Sequence, residues 1–188
     1  MSCKKPVCTL RGLFVALLPS RRGLFVALLV AALPVAGALA GDAKPVYLDR
    51  RAEVVLPVGY NRTNEYPVFV VLPPTGLEAA RVAPYLGLAP KRQKDFILIL
   101  PAGRPTRDEY LPDFSTFVEW YEERVLEELD SVLENYSADP ERVYLGGYSL
   151  GGDLSWALSV RNPELFAGAV IAGSRTSYPV ETTTLETL

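Results

Sequence analysis

An α/β fold, a mostly parallel sheet flanked by helices, is predicted by three features of this chain. Apolar runs of strand length alternate with segments of helical period. Two of those runs, Pro67 to Leu72 and Phe96 to Leu100, are continuously apolar, as strands buried on both faces must be. A Gly147-Tyr148-Ser149-Leu150-Gly151 turn then joins a short strand to a helix.

The elements follow in order. Ala52 to Val58 reads as a first strand and Pro67 to Leu72 as a second. Glu78 to Leu88 reads as a helix, with Thr75 and Glu78 as its capping box. Phe96 to Leu100 is the next strand. Thr116 and Glu119 repeat the capping-box spacing before a longer helix. In it Val118, Tyr121, Val125, Leu129, Val132 and Tyr136 recur at three- and four-residue steps, which makes them core. Glu122, Glu123, Glu127, Glu128 and Asp130 are expected on its solvated face. Asp139-Pro140 marks a turn, because Pro fixes φ and lacks an N–H. Arg142 to Leu145 reads as a strand. Leu150 to Val160 reads as a helix ended by Asn162-Pro163. Phe166 to Ala172 is expected to be a further buried strand, beyond which the tail is polar.

The first 40 residues are expected to stand outside this fold. Lys4, Lys5, Arg11, Arg21 and Arg22 precede an uncharged run from Gly23 to Ala40, which ends in Ala38-Leu39-Ala40. A charged start, an apolar middle and a small-residue end make a signal peptide. Residues 1–40 are therefore expected to be a leader and 41–188 the domain. Arg11 to Leu18 recurs as Arg22 to Leu29, a duplication inside the leader. Ser20-Arg21-Arg22-Gly23-Leu24-Phe25 resembles a twin-arginine export signal. The expected location is secreted or periplasmic, with membrane contact only through an uncleaved leader.

Composition excludes several chemistries. Cys3 and Cys8 both lie in the leader, so no disulfide or cysteine–metal site is expected after it. The chain contains no histidine, and a zinc site from carboxylates alone would be unusual. No metal and no cofactor is expected. All 22 acidic residues lie after position 40, against 14 of the 19 basic ones, which gives that part a net charge of −8. Such a domain is a poor partner for nucleic acid or anionic lipid. Asn61-Arg62-Thr63 and Asn135-Tyr136-Ser137 are glycosylation sequons.

Ser149 is the candidate nucleophile. A Ser on a sharp strand-to-helix turn is held in a strained conformation that pushes Oγ out over the sheet. Strand and helix then pass so close that residues two positions either side must be tiny, and Gly147 and Gly151 meet that need. The bland alternative is a glycine-rich turn that merely packs a helix on a sheet.

The chain resembles the α/β-hydrolases over about Ala52 to Ser174, and more narrowly exported esterases of the polyhydroxybutyrate-depolymerase, feruloyl-esterase and phospholipase/carboxylesterase type. The resemblance is carried by Phe69-Val70-Val71-Leu72-Pro73-Pro74-Thr75-Gly76 and by Asp139 to Gly152, with the elbow at its end. It implies Ser149 as nucleophile, and the backbone N–H groups of Leu150 and Thr75 as oxyanion donors, with Gly76 the alternative to Thr75. It implies a small-molecule or polymeric ester as substrate. Where the family has His-Gly after the third strand, this chain has Pro73-Pro74. The family's acid and His follow two further strands. The carboxylates after Ser149 are Asp153, Glu164, Glu181 and Glu186, none of them placed as the family places its acid. Complete domains of this type run roughly 200–250 residues, so 41–188 is expected to be a partial, C-terminally truncated hydrolase domain. An open sheet edge and poor solubility are expected with it.

A non-catalytic hydrolase-like module is the second reading, since the missing His suits it too. A Ser–Lys hydrolase has only Lys44, Lys91 and Lys94 to offer, all before the elbow. Mass spectrometry of the exported protein is expected to show Gly41 first. An intact Met1 in a membrane fraction would contradict cleavage.

Overall fold

The computed structural model of the chain describes residues 44–175 together with 178 and 179. The expected leader, its duplicated segment and the cleavage site after Ala40 lie outside the described residues, as do Glu181 and Glu186.

Five strands form one sheet: β1 (Glu53–Val55), β2 (Tyr66–Leu72), β3 (Ile97–Leu100), β4 (Ala138–Tyr148) and β5 (Gly168–Ala172). Their order is β1-β3-β2-β4-β5. β1 runs antiparallel to β3, and every other pairing is parallel. The two continuously apolar runs become the inner strands β2 and β3, as burial on both faces requires. Their side chains alternate between two cores. Val68, Val70, Leu72, Ile97 and Ile99 meet the long helix α3 (Phe114–Asn135) and α4 (Leu150–Arg161). Phe69, Val71, Leu98 and Leu100 meet the short helix α1 (Ala79–Val82) on the other face. A mostly parallel sheet flanked by helices is therefore the architecture, as expected.

The α3 stripe holds. Val118, Tyr121, Val125, Leu129 and Val132 are all buried. Tyr136 instead becomes the C-cap residue, half-buried, with its ring edge-on to Tyr60. The solvated face has two exceptions, Glu122, whose side chain is mostly covered, and Glu128. Glu128 is buried, and its carboxylate accepts from Arg124 and from the Ala52 N–H at 2.8 Å. A buried carboxylate must be partnered, and these donors tie the entry of β1 to α3.

Several boundaries differ from expectation. β1 stops at Val55, short of Val58, because Pro57 lacks a ladder donor and Pro57 to Tyr60 folds as a turn. The expected helix from Glu78 to Leu88 is four residues of α-helix followed by a 3-10 turn over Ala83–Leu86, closed by Gly87 at φ +79°. Pro84 accounts for the break. Thr75 does not cap it. Its hydroxyl lies 3.1 Å from the Tyr110 hydroxyl, and Glu78 pairs with Arg104. α3 is capped by Asp113, which accepts from the Thr116 N–H and hydroxyl, so it starts before Thr116. A reciprocal capping box does occur, at Thr106 and Glu109, opening the short helix α2 (Arg107–Tyr110). The Asp139-Pro140 turn is realised inside β4. Between Tyr66↔Ala138 and Val68↔Val143, two positions of β2 correspond to five of β4, so the strand bulges there. Finally, β5 is not buried. Val170 and Ile171 are 47% and 37% exposed, and no strand among the described residues pairs with its outer edge.

α3 and α4 are joined by a polar tie. The Glu122 carboxylate accepts from Arg161 at 2.7–3.0 Å and from Asn162 Nδ2 at 2.6 Å. Burial pushes the Glu122 carboxyl up, but the bonds from Arg161 and Asn162 outweigh it and hold it below its ordinary value of 4.5. Its folded pKa is thus lower than its unfolded one. The stabilisation is present above about pH 4.5 and is lost as pH falls through the folded value. Glu122→Gln is expected to lower stability by about 1 kcal/mol at neutral pH, allowing for solvent screening. Melts followed by circular dichroism should show the gap closing in acid. A gap that stays constant would contradict this.

Candidate active site at the strand-to-helix turn

β4 delivers the chain to Tyr148, α4 begins at Leu150, and Ser149 makes the whole turn between them. Its backbone sits at φ 57°, ψ −119°, the one positive φ outside glycine among the described residues. An L-residue held there stores roughly 1–3 kcal/mol. The surroundings impose it. The Ser149 N–H donates to the Ala172 carbonyl of β5 at 2.9 Å, and the Ser149 carbonyl accepts the Asp153 N–H at 3.0 Å, starting α4. The steric need for small flanking residues is met. A Cβ on Gly147 would stand 2.3 Å from the Gly151 carbonyl group, and one on Gly151 only 2.2 Å from the Leu72 oxygen. Gly146 and Gly152 are equally confined, against the Phe69 ring and the Ala172 carbonyl.

The sheet register brings the second segment to the same place. Leu72, the end of β2, pairs with Gly147 of β4. The chain beyond Leu72 and the turn beyond Gly147 therefore leave the sheet at one level. They open onto a cavity of about 550 Å³ lined by Thr75, Arg107, Ser149, Leu150, Asp153 and Arg175, among others. Ser149, Leu150 and Thr75, distant in sequence, thus share one cavity.

The backbone donors can be told apart. Leu150 is the first residue of α4, so its N–H has no acceptor within the helix. Pro73 and Pro74 carry no N–H, which makes Thr75 the first residue after Leu72 with a backbone donor. The Thr75 N–H makes no backbone hydrogen bond among the described residues. Gly76, the alternative read from the sequence, donates to the Pro105 carbonyl at 2.7 Å and does not line the cavity. Buried Tyr110 holds the Thr75 hydroxyl from the cavity wall.

The remaining candidates fall apart or change role. Asp153 was expected in the first turn of α4, where an acid suits the helix dipole. It is there, 3% exposed, and it also accepts from the Ser174 hydroxyl at 2.8 Å, the Arg175 N–H at 2.7 Å and the Arg175 guanidinium at 3.1 Å. It thereby fastens the segment after β5 to the base of the elbow helix. Glu164 is exposed and lies away from the cavity. Lys44 pairs with Glu123 at 2.6 Å, and neither Lys91 nor Lys94 lines the cavity, so no lysine adjoins Ser149 among the described residues. No group of three or more His, Cys, Asp or Glu among the described residues is arranged to hold a metal. Arg107, Tyr110 and Arg175 were missed in the sequence. The Thr106-x-x-Glu109 spacing, a capping box, was the signal for the helix that brings two of them in.

No family model matches the chain, and no curated protein matches it. Solved structures do. A ferulic acid esterase from Anaeromyces mucronatus is 20% identical, with a TM-score of 0.43 over 61% of this chain and 48% of that one. A fluorophosphonate-binding serine hydrolase of Staphylococcus aureus is 16% identical, with a TM-score of 0.46 over 64% of this chain and 49% of that one. An S-formylglutathione hydrolase of Staphylococcus aureus is 13% identical, with a TM-score of 0.49 over 96% of this chain and 70% of that one. The chain spans about half the length of the ferulic acid esterase chains it matches. Esterases and serine hydrolases are thus among the structural neighbours of this mostly parallel sheet.

Three substitutions separate strain from contact. Ser149→Gly relaxes the left-handed backbone, whereas Ser149→Ala keeps the strain, so the Gly variant is expected to be more stable than the Ala variant by about 1 kcal/mol. Gly151→Ala should cost about 1–3 kcal/mol or prevent folding, because its methyl meets a backbone oxygen that cannot move aside. Chemical denaturation measures all three. Ser149→Ala matching or exceeding Ser149→Gly would show that the turn is unstrained.

Proposed function

We propose that this chain carries the nucleophile and oxyanion half of a serine hydrolase that cleaves carboxylic esters through an acyl-enzyme. The observation that carries this reading is the left-handed backbone of Ser149 between two sterically obligatory glycines. A packing turn needs the glycines but not a strained Ser at its apex. The Ser149 Oγ attacks the ester carbonyl, a bond forms to its carbon, and the alcohol departs with a proton. Water then releases the acid and restores the hydroxyl. The Leu150 and Thr75 N–H groups hold the oxygen on which charge develops, and losing one such donor costs roughly 3 kcal/mol. The substrate is a small-molecule or polymeric ester. The protein acts after export, in a secreted or periplasmic setting, with Gly41 as its first residue.

A Ser hydroxyl is a weak nucleophile until a base takes its proton, and this sequence contains no histidine. That absence is also what favours the second reading, a hydrolase-like module that binds without turning over. The two readings part under added imidazole. The chain alone is expected to hydrolyse p-nitrophenyl acetate little above background. With imidazole in the buffer, turnover should exceed that of Ser149→Ala under the same conditions, and a fluorophosphonate probe should label wild type but not that variant. Labelling that survives Ser149→Ala would end the assignment of the nucleophile. Neither labelling nor an imidazole-dependent difference would leave the binding module.

A further inference from the structure

Among the described residues, three charged side chains, Arg107, Asp153 and Arg175, line the cavity beside Ser149. Asp153 and Arg175 form an ion pair at 3.1 Å, and the Asp153 carboxylate also accepts from the Ser174 hydroxyl and the Arg175 N–H. Arg107 makes no ion pair among the described residues. Its acidic neighbours do not serve it. Glu109 is turned to the Thr106 N–H at 2.6 Å and the Tyr47 hydroxyl at 3.2 Å. Asp108 is adjacent in α2, so it points about 100° away around the helix, and it does not line the cavity. Among the described residues, Arg107 lines the cavity without an ionic partner, in a chain whose net charge is −3. The overall field repels anions, so an uncancelled guanidinium at this spot is a local preference and no part of a general basic surface.

The geometry points to Arg107 as a specificity-determining residue that selects esters bearing a carboxylate. A guanidinium offers a planar fork of donors that matches a carboxylate's two oxygens. An ester whose carbonyl sits at Ser149 presents its far end to the same cavity, where Arg107 meets it. A neutral ester leaves that charge to water. Turnover of such an ester rests on the reading of Ser149 as nucleophile; the anion preference rests on Arg107 alone.

Binding tests it without catalysis. The full chain is titrated with monomethyl succinate and with dimethyl succinate, followed by calorimetry and saturation-transfer NMR. The monoanion is expected to bind about three- to tenfold more tightly at low salt, the range for an exposed charge-assisted contact, and the preference should shrink as salt is added. Arg107→Gln should abolish it. Arg107→Lys keeps the charge without the fork and should keep a reduced preference. Equal affinity for the two esters in wild type, no binding of either, or a preference that survives Arg107→Gln would overturn the proposal. Ser149→Ala is expected to keep the preference. If it does while wild type shows neither fluorophosphonate labelling nor an imidazole-dependent turnover, the nucleophile reading fails and the anion subsite stands.

Discussion

A methyl group on Gly151 would stand 2.2 Å from the Leu72 carbonyl oxygen, and one on Gly147 would run into the Gly151 backbone. This contact between the end of β2 and the first turn of α4 sets the rest of the site. The helix has to begin within two residues of the strand's end, so one residue must make the entire turn. That residue is Ser149, and a left-handed backbone is what the turn demands of it. Because Leu72 and Gly147 are paired in register, the same contact brings Thr75 and Leu150 to the cavity that Ser149 lines.

Strain at the turn persists because the helix behind it cannot leave. Leu150, Leu154, Ala157 and Leu158 of α4 are all at most 2% exposed. Each buried Leu is worth about 1.5–3 kcal/mol, so three of them outweigh a strain of roughly 1–3 kcal/mol. α4 is also buried on nearly every side, which explains why it shows so little amphipathic patterning. Its hydroxyls are satisfied locally, Ser155 donating to the Gly151 carbonyl and Ser159 to the Trp156 carbonyl. Asp153 supplies the last restraint. Its buried carboxylate binds the segment after β5, so the cavity wall around Arg175 is tied to the helix that carries Ser149.

The strands and the elbow were legible because they depend on local pattern. Continuous apolar runs can only be inner strands of such a sheet, and closely spaced glycines around a Ser announce a close approach. The helix starts were less legible. Asp113 and Thr116 both have the chemistry of a cap, and tertiary packing of Phe117 decides for the earlier one. The capping box at Thr106 and Glu109 has no apolar period after it to mark a helix. Glu128 reads as a surface acid because its partner is a backbone N–H of Ala52, which spacing cannot reveal. Arg107, Tyr110 and Arg175 escaped for the same reason. Each is ordinary where it stands in the chain, and only the pairing of β3 with β2 and of β5 with β4 brings their segments towards Ser149.

In the proposed function, Ser149 Oγ and two backbone amides converge on one reacting atom. A crystal structure of the chain after prolonged exposure to a p-nitrophenyl phosphonate tests this. Phosphorus is expected to be bonded to Ser149 Oγ, with one phosphoryl oxygen about 3 Å from both the Leu150 and Thr75 nitrogens. An adduct whose oxygen reaches neither amide, or a Ser149 that has relaxed to negative φ, would contradict it.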